Sequence, residues 1–373
     1  MSVAFRRDAR SGSVPCVLAV ALTLAATGTV SAQSGAAMAL EQARVDALMN
    51  RFVGPNEPGA AVVVSRGDSV VFAAGYGVAD VTTSARITPA TAFRLASVSK
   101  QMTAAAILTL VDSGRLRLDA RLDALLAAIP PYARAITVRQ LLAHTSGIPD
   151  YEPLLGAGDG PQVKDRDVLA LMRRATTLYF EPGTSWRYSN TGYALLALIV
   201  EAVSGDSFAS YLRRHLFDRA GMSTAVAHEE GADTVAERAY GHSRDATATG
   251  WRKTDQNRTS AVLGDGGIYA SGLDLARWST ALDGNAVLSA AMAREATTPV
   301  TLPSGVSTAY GYGWFVDTHR GHRRQRHEGD SIGFRTAIQR YPDDKLTVII
   351  LMNRAAAPVI ALSDAIADVF LSP

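Results

Sequence analysis

A serine and a lysine three residues apart stand at the start of a stretch with helical spacing. Ser97 precedes Lys100, and the apolar residues after them recur at the period of a helix. Because residues three apart share one face of a helix, the ammonium and the hydroxyl can touch. A desolvated lysine can accept the serine proton, or hold another base ionised, and so activate the serine as a nucleophile. The helix start also offers backbone N–H groups to negative charge developing on a substrate.

A tyrosine and an asparagine two residues apart form a second candidate pair. Tyr188 and Asn190 lie in a loop just before a predicted helix. A phenol beside one or two ammonium groups ionises more easily, so Tyr188 could deprotonate the serine and later protonate the leaving group. Asn190 can donate and accept hydrogen bonds at once, which suits contact with both the lysine and a substrate carbonyl.

A third candidate motif, running from His327 to Asp330, ends a β-type run near the C-terminus. A histidine at this place can present a positive or hydrogen-bonding group to the site. Gly329 has no side chain, and a substrate backbone can therefore lie close to the strand. We expect His327 and Gly329 to contact substrate.

The N-terminal segment is typical of a signal peptide. Residues 1–32 combine a basic start, an apolar run over residues 14–26 and small residues before Gln33. The run is short for a membrane span, so we expect cleavage, export to the periplasm or medium, and no stable membrane span afterwards. The single cysteine, Cys16, lies in this segment, so the mature protein would have neither disulfide nor thiol chemistry.

The charge balance gives no sign of a nucleic-acid or membrane partner. The chain has 37 basic and 35 acidic residues, a formal net charge of +2. Its dense basic run, residues 320–326, is short and more typical of a solvated hairpin than of a binding arm. We therefore expect a small-molecule or short-peptide substrate and no nucleic acid.

Strand signals lie at both ends of the chain and helical signals lie between them. Alternating or continuous apolar runs occur early at 60–65 and 69–76, and several more occur after residue 310. Late strands joined by short turns pair antiparallel. We predict an α/β (α+β) fold in which an antiparallel sheet flanked by helices receives an inserted all-helical lobe.

These signals give a domain prediction. A single hydrolase domain would cover residues 38–373, after the signal peptide. Its sheet lobe would combine residues of about 38–115 with 270–373, and its helical lobe would cover about 116–269. A substrate cleft is expected between the two lobes.

The motifs occur in the order S-x-x-K, Y-x-N, H-x-G, and the chain resembles the serine β-lactamase and penicillin-recognising enzyme superfamily. It is similar to the branch of class C β-lactamases, D-alanyl-D-alanine carboxypeptidases, D-aminopeptidases and related esterases. The resemblance extends from about residue 41 to 370 and includes the stretches 141–148, 264–269 and 310–314. It implies a β-lactamase/transpeptidase-like fold and neither a metal nor an organic cofactor.

The resemblance also implies roles for individual residues. Ser97 would be the acylated nucleophile, and Lys100 and Tyr188 would share its deprotonation. Asn190 would position substrate, and His327 would take the place that lysine holds in many β-lactamases. The oxyanion hole would consist of the backbone N–H groups of Ser97 and Asp330.

The third motif departs from the family pattern. Class C β-lactamases usually have Lys-Thr-Gly, and related carboxypeptidases have His-Thr-Gly, where this chain has Glu328 in the middle position. The threonine helps to bind a substrate carboxylate, which a Glu328 facing the cleft would repel. This predicts a preference for neutral esters or amine-bearing substrates over β-lactams. The substrate class stays open if Glu328 points away, as strand alternation allows, or if Arg335 anchors a carboxylate.

The sequence therefore predicts an exported serine hydrolase that acts through a Ser97 acyl-enzyme on an ester or amide. Its activity would be of the esterase, D-Ala-D-Ala carboxypeptidase or D-aminopeptidase type. A class C-like β-lactamase is the first alternative, and a non-catalytic sensor that binds a peptide or β-lactam is the second. All three motifs have chemically competent residues, which argues for an enzyme.

Two rival patterns are weaker. The segment 329–333 matches the G-x-S-x-G elbow of α/β-hydrolases, but a strand-like stretch follows it and no histidine occurs downstream of it. The three histidines at 319, 322 and 327 lack the spacing of a metal-binding motif.

Overall fold

The computed structural model describes side chains from residue 35 onward, and its described residues are 21–156, 158, 160–229, 234–245 and 250–372. The chain divides into two units, Met1–Arg44 and Val45–Pro373. Residues 1–20 of the expected signal peptide lie outside the described part, so its cleavage stays a prediction. Within the described part, no single helix has the length and apolarity needed to cross a membrane, although one bent pair meets these criteria by length and composition alone.

The strands are short except around one central sheet. The described residues form β1 (Ala60–Arg66), β2 (Ser69–Tyr76), β3 (Val78–Asp80), β4 (Ala85–Arg86), β5 (Ala92–Arg94), β6 (Val226–Ala227), β7 (His242–Arg244), β8 (Trp251–Lys253), β9 (Ile268–Ser271), β10 (Phe315–His319), β11 (His322–Ser331), β12 (Phe334–Tyr341) and β13 (Leu346–Met352).

Helices precede, separate and follow these strands. They are α1 (Ala21–Phe52), α2 (Lys100–Asp112), α3 (Leu122–Leu125), α4 (Val138–Leu142), α5 (Asp165–Leu171), α6 (Asn190–Ser204), α7 (Phe208–Leu212), α8 (Asp218–Ala220), α9 (Leu263–Gly266), α10 (Gly272–Asp283), α11 (Ala290–Ala296) and α12 (Val359–Phe370). A 3₁₀ turn, Ala96–Ser99, leads directly into α2.

The central sheet is built from both ends of the hydrolase domain. Its order is β10-β11-β12-β13-β1-β2, and neighbouring strands pair antiparallel. The first strand of the domain pairs with the last, with Ala60 opposite Met352. Every residue of β13 is buried, as expected for a central strand covered on both faces. The predicted antiparallel sheet flanked by helices is confirmed.

Alternate side chains of the central strands enter two separate apolar cores. Val62 and Ile350 belong to the core that includes α12. Val63 and Ile349 belong to the larger core that includes α2, α6 and α10. Helix α2, which begins with Lys100, therefore packs in the same apolar core as one face of the sheet.

The region of about 116–269 is richer in strands than the prediction of a purely helical lobe. It contains β6, β7, β8 and β9, and β9 pairs with both β5 and β6. Strands of two to four residues produce no readable alternation, which is why the sequence pattern did not show them. The pairing of β9 with β5 matters for function, because β5 leads into the turn that holds Ser97.

Candidate active site

Ser97 lies where β5 ends and α2 begins. The N–H of Leu95 donates to the carbonyl of Ile268 in β9 at 2.8 Å, which ties the approach to the turn. Ala96 then adopts a φ of +50°, an uncommon conformation for a residue with a side chain. Such strain persists only where the surrounding structure holds it, and it is concentrated at functional sites. Ser97 follows as the second residue of the 3₁₀ turn, whose first N–H groups have no acceptor within the turn.

Lys100 is completely buried and its ammonium group has three oxygen acceptors. Nζ donates to Ser97 Oγ at 3.1 Å, to Asn190 Oδ1 at 2.8 Å and to the backbone carbonyl of Asp265 at 2.7 Å. Burial lowers the pKa of Lys100, because the charged form is desolvated, while nearby carboxylates, that of Asp265 first, act in the opposite direction. The lysine is therefore both aimed at the serine and shifted toward the neutral amine.

Tyr188 is the second group that faces Ser97. Its hydroxyl is buried and, apart from the nearby Ser97 side chain, has no hydrogen-bond partner among the described residues; its ring centroid lies 5.0 Å from Lys100 Nζ. Burial raises the pKa of Tyr188 above its ordinary value, and the nearby Ser97 offsets only part of that rise. Tyr188 is therefore a phenol in the resting site, better suited to give a proton than to remove the first one.

Asn190 joins the lysine to a carboxylate that the sequence did not single out. It is the first residue of α6, and the preceding Ser189 caps that helix by accepting the N–H of Gly192. Asn190 Oδ1 accepts from Lys100, and its Nδ2 donates to Glu152 Oε1 at 3.3 Å. The S-x-x-K and Y-x-N motifs therefore meet in one hydrogen-bonded cluster.

His327 is brought close to this cluster but is not among the residues that line the cavity. It is buried, its Nδ1 lies 2.7 Å from the carbonyl of Glu328, and its Nε2 lies 3.1 Å from the hydroxyl of Tyr310. Burial lowers the pKa of His327 to about 3, so the ring is neutral. A neutral ring with both nitrogens engaged does not present the positive charge considered in the sequence analysis, and direct substrate contact by His327 stays a prediction.

Gly329 lies so close to the turn that holds Ser97 that a side chain would not fit. A Cβ at this position would overlap the backbone carbonyl of Leu95 and the hydroxyl of Thr336, and it would press on Ala96. The glycine therefore lets β11 approach the turn that holds Ser97, and its contact with a substrate backbone stays a prediction. The Thr336 hydroxyl completes this contact by donating to the Leu95 carbonyl at 2.7 Å.

The acidic residues around Gly329 are already paired. Glu328 lies 2.7 Å from Arg326, and it is not among the residues that line the cavity beside Ser97. Asp330 does line the cavity, but its carboxylate lies 2.7 Å from Arg335, which also donates to two backbone carbonyls. Glu328 is therefore paired with Arg326 and is not among the residues that line the cavity, and Arg335 is paired with Asp330. The assignment of the Ser97 and Asp330 N–H groups as an oxyanion hole stays a prediction.

The cavity beside Ser97 has a volume of about 430 Å³ and a largely polar lining. Besides Asp330, its charged residues are Arg94, Glu152 and Asp265. Arg94 is buried and donates to the carbonyl of Ser260 at 2.9 Å. Sequence reasoning missed all three of these residues. Asp265 lies in the stretch 264–269 without being part of a motif, and Arg94 and Glu152 lie outside the three motifs.

The G-x-S-x-G segment lacks the surroundings of a nucleophile elbow, and two of the three histidines lie beside aspartates. The segment 329–333 lies at the end of β11 and in the turn to β12, so no helix follows it as a nucleophile elbow requires. His319 and His322 lie 2.8 and 2.9 Å from Asp368 and Asp344, respectively. In the described part of the chain, no group of three or more metal-binding side chains comes together.

Comparisons with known proteins agree with this geometry. A family model described as Beta-lactamase matches residues 43–370. Penicillin-binding protein 4* of Bacillus subtilis (strain 168) is 32% identical over 307 residues, which cover 79% of this chain and 67% of that protein. The D-aminopeptidase of Gluconobacter oxydans (strain 621H) is 30% identical over 330 residues, which cover 87% of this chain and 61% of that protein.

A solved structure shows the same fold over nearly its whole length. The penicillin binding protein from Bacillus halodurans has a TM-score of 0.73 and 26% identity, covering 87% of this chain and 98% of that one. The curated D-aminopeptidase, by contrast, is longer, since this chain spans 61% of it. Because the family model matches most of the chain and the relatives share its fold, the chain belongs to the Beta-lactamase family, within the serine β-lactamase and transpeptidase superfamily.

Proposed function

We propose that the protein is an exported serine hydrolase that cleaves an amide or ester through a Ser97 acyl-enzyme. The supporting observation is the buried cluster in which Lys100 Nζ lies 3.1 Å from Ser97 Oγ and 2.8 Å from Asn190 Oδ1. A lysine that is buried beside a serine, with its pKa lowered, is an activating base rather than a surface charge.

The proposed reaction moves protons among Ser97, Lys100, Tyr188 and the leaving group. The neutral amine of Lys100 accepts the Ser97 proton as Oγ bonds to the substrate carbonyl carbon, and charge moves to the carbonyl oxygen. Backbone N–H groups of Ser97 and Asp330 would stabilise that oxyanion. The phenol of Tyr188 then gives its proton to the leaving group and regains one from Lys100. Water attacks the acyl-enzyme by the reverse proton path, which releases the acid and restores the Ser97 hydroxyl.

We further propose that the acyl part of the substrate has a free amine. The carboxylates of Glu152 and Asp265 line the cavity, and Glu152 reaches Ser97 through the hydrogen bonds of Asn190 and Lys100. Burial raises the pKa of Glu152, and an incoming ammonium would favour its ionised form. In a partly dry cavity such a carboxylate attracts an ammonium more strongly than it would in water. The similarity to a D-aminopeptidase supports this substrate class.

Paired substrates test the proposal. We expect D-alanine p-nitroanilide to be cleaved at least about tenfold better, in kcat/KM, than its N-acetyl derivative, because only the free amine pairs with Glu152. p-Nitrophenyl butyrate, nitrocefin and a D-Ala-D-Ala peptide complete the panel. Efficient nitrocefin turnover without amide or ester hydrolysis would favour the β-lactamase alternative instead. Failure of a fluorophosphonate to label Ser97 would favour the non-catalytic sensor.

Export is tested separately. We propose that residues 1–32 direct export and are removed before Gln33. Expression of the full chain in a Gram-negative host, followed by fractionation and intact-mass measurement, should give a periplasmic or secreted protein that begins at Gln33. An uncleaved cytoplasmic product would contradict the proposal.

A further inference from the structure

His144 contacts the ring of Tyr188 and the backbone of the residues on either side of it. Its backbone carbonyl accepts the N–H of Arg187 at 2.9 Å, and its Nδ1 accepts the N–H of Ser189 at 3.1 Å. Its imidazole packs on the Tyr188 ring, with 4.3 Å between centroids and 36° between planes. A single residue therefore binds the backbone both before and after the tyrosine and also covers its ring.

The backbone of His144 is adapted to this arrangement. The residue follows α4 with a φ of +58°, in the left-handed region that few residues other than glycine adopt, with asparagine, aspartate and histidine the most frequent among them. Such a conformation persists where surrounding contacts hold it, and it is concentrated at functional sites. Here it coexists with two hydrogen bonds to the segment that contains Tyr188.

The hydrogen bond to Ser189 also fixes the state of the ring. Burial lowers the pKa of His144 well below its ordinary value, so the ring is neutral. Since Nδ1 accepts a hydrogen bond, the proton lies on Nε2, which has no partner among the described residues. The Ser189 N–H is therefore the polar contact of this side chain within the described structure. An apolar filler would cover Tyr188 equally well but would leave that N–H unpaired.

Tyr188 needs such support because its hydroxyl has no fixed partner besides the serine that it faces. Apart from the nearby Ser97, no described group forms a hydrogen bond with Tyr188 Oη, so its position depends on the ring contacts and on the backbone. We propose that His144 is a positioning residue that holds the Tyr188 hydroxyl against Ser97 for proton transfer. This inference rests on the proposed function and adds a residue to it.

Two substitutions isolate the hydrogen bond from the backbone strain. Glycine and asparagine both accept a positive φ, but only His144→Asn retains an acceptor in the place of Nδ1. We expect His144→Gly to lower kcat about 10- to 100-fold with little change in KM, because a small displacement of a catalytic group has effects of that size. His144→Asn should recover most of that loss. Wild-type kcat in His144→Gly, or equal losses in both variants, would overturn the proposal.

A double-mutant cycle shows whether His144 acts through Tyr188. In a Tyr188→Phe background, His144→Gly should change kcat less than about threefold, because the group it positions is already absent. Multiplication of the two single losses would contradict the proposal, as would failure of both His144 variants to fold by circular dichroism. Fluorophosphonate labelling of the wild type and its loss in Ser97→Ala report on the acyl-enzyme function independently, so the two failures are distinguishable.

Discussion

The two sides of the cleft use polar groups in opposite ways. On the helical side, the starts of α2 and α6 direct Lys100 and Asn190 into one cluster around Ser97. On the strand side, β11 turns its polar side chains into contacts with its own neighbours, with Glu328 on Arg326 and His327 on Tyr310.

This difference changes where substrate preference is expected. The sequence made Glu328, on the strand, a candidate for the carboxylate that selects substrates, if it faced the cleft. The structure leaves Glu328 out of the cavity and places Glu152 and Asp265 in it, beside the lysine cluster. An acidic cleft is still expected, but Glu152 and Asp265 of the helical side line it together with Asp330, which is paired with Arg335. The strand side contributes backbone and close packing.

The largest expected effect is on the nucleophile. Ser97→Ala should lower kcat by at least about 10⁴-fold, as loss of a nucleophile does in other serine hydrolases, and should abolish covalent labelling. The exposed Ser69→Ala on β2 is the control and should behave as wild type. Full turnover by Ser97→Ala would contradict the assignment of Ser97 as the nucleophile and of the helical side as the catalytic side.

Substitution of Lys100, the proposed base, should lower activity nearly as much. Lys100→Arg retains a positive charge that cannot be lost, so kcat should fall about 10³-fold or more. In the wild type, the amine is the active form, so kcat/KM should rise with pH through the pKa of Lys100 and fall on acidification. Because burial lowers that pKa, the midpoint should lie below the value of about 10.4 of a free lysine. A midpoint at or above the free value would contradict the assignment.

The close approach of the two sides at Gly329 should be the next most sensitive feature. In Gly329→Ala, the new Cβ would overlap the Leu95 carbonyl and the Thr336 hydroxyl, and the turn that holds Ser97 would have to move. We expect a lower Tm and a kcat loss of about 10². Gly321→Ala in the neighbouring β-turn is a partial control, because open space surrounds that position although its φ is +88°. Unchanged kcat and Tm in Gly329→Ala would show that β11 does not brace the nucleophile.

Carboxylate substitutions on the two sides compare them directly. Glu152→Gln should raise the KM of an amine-bearing substrate about 10- to 100-fold, the size of a lost charge-assisted hydrogen bond, and should leave p-nitrophenyl butyrate nearly unaffected. Initial-rate kinetics on the two substrates measure this. An equal loss on both substrates would point to disruption of Asn190 rather than to loss of an ammonium site.

The smallest effect is expected at Glu328. Glu328→Gln and Glu328→Thr should change kcat/KM for any substrate of the panel less than about threefold, because the side chain pairs with Arg326 outside the cavity. A large gain in nitrocefin turnover by Glu328→Thr would mean that the strand side does select substrates, and the comparison between the two sides would fail.

The features that could be predicted from the sequence are those that depend on the spacing of residues close together in the chain. Strands β1, β2 and β13 were readable from alternating or continuous apolar runs, and the three-residue spacing of Ser97 and Lys100 was enough to place their side chains in contact. The irregular segments were not readable in the same way. Strand-like runs were expected soon after residue 310, but regular β10 starts only at Phe315.

The sequence by itself determined the family, the sheet built from both ends and the residue types of the three motifs, because each depends on short-range spacing. Only the tertiary structure decided that Glu152 lies in the cavity, that Glu328 lies outside it and that His144 holds the segment of Tyr188. The contacts of Glu152 with Asn190 and of His144 with Ser189 join residues 38 and 45 positions apart, and the turns at Ala96 and His144 have positive φ. Such turns leave no periodic signal, since their conformation is imposed by the packing around them.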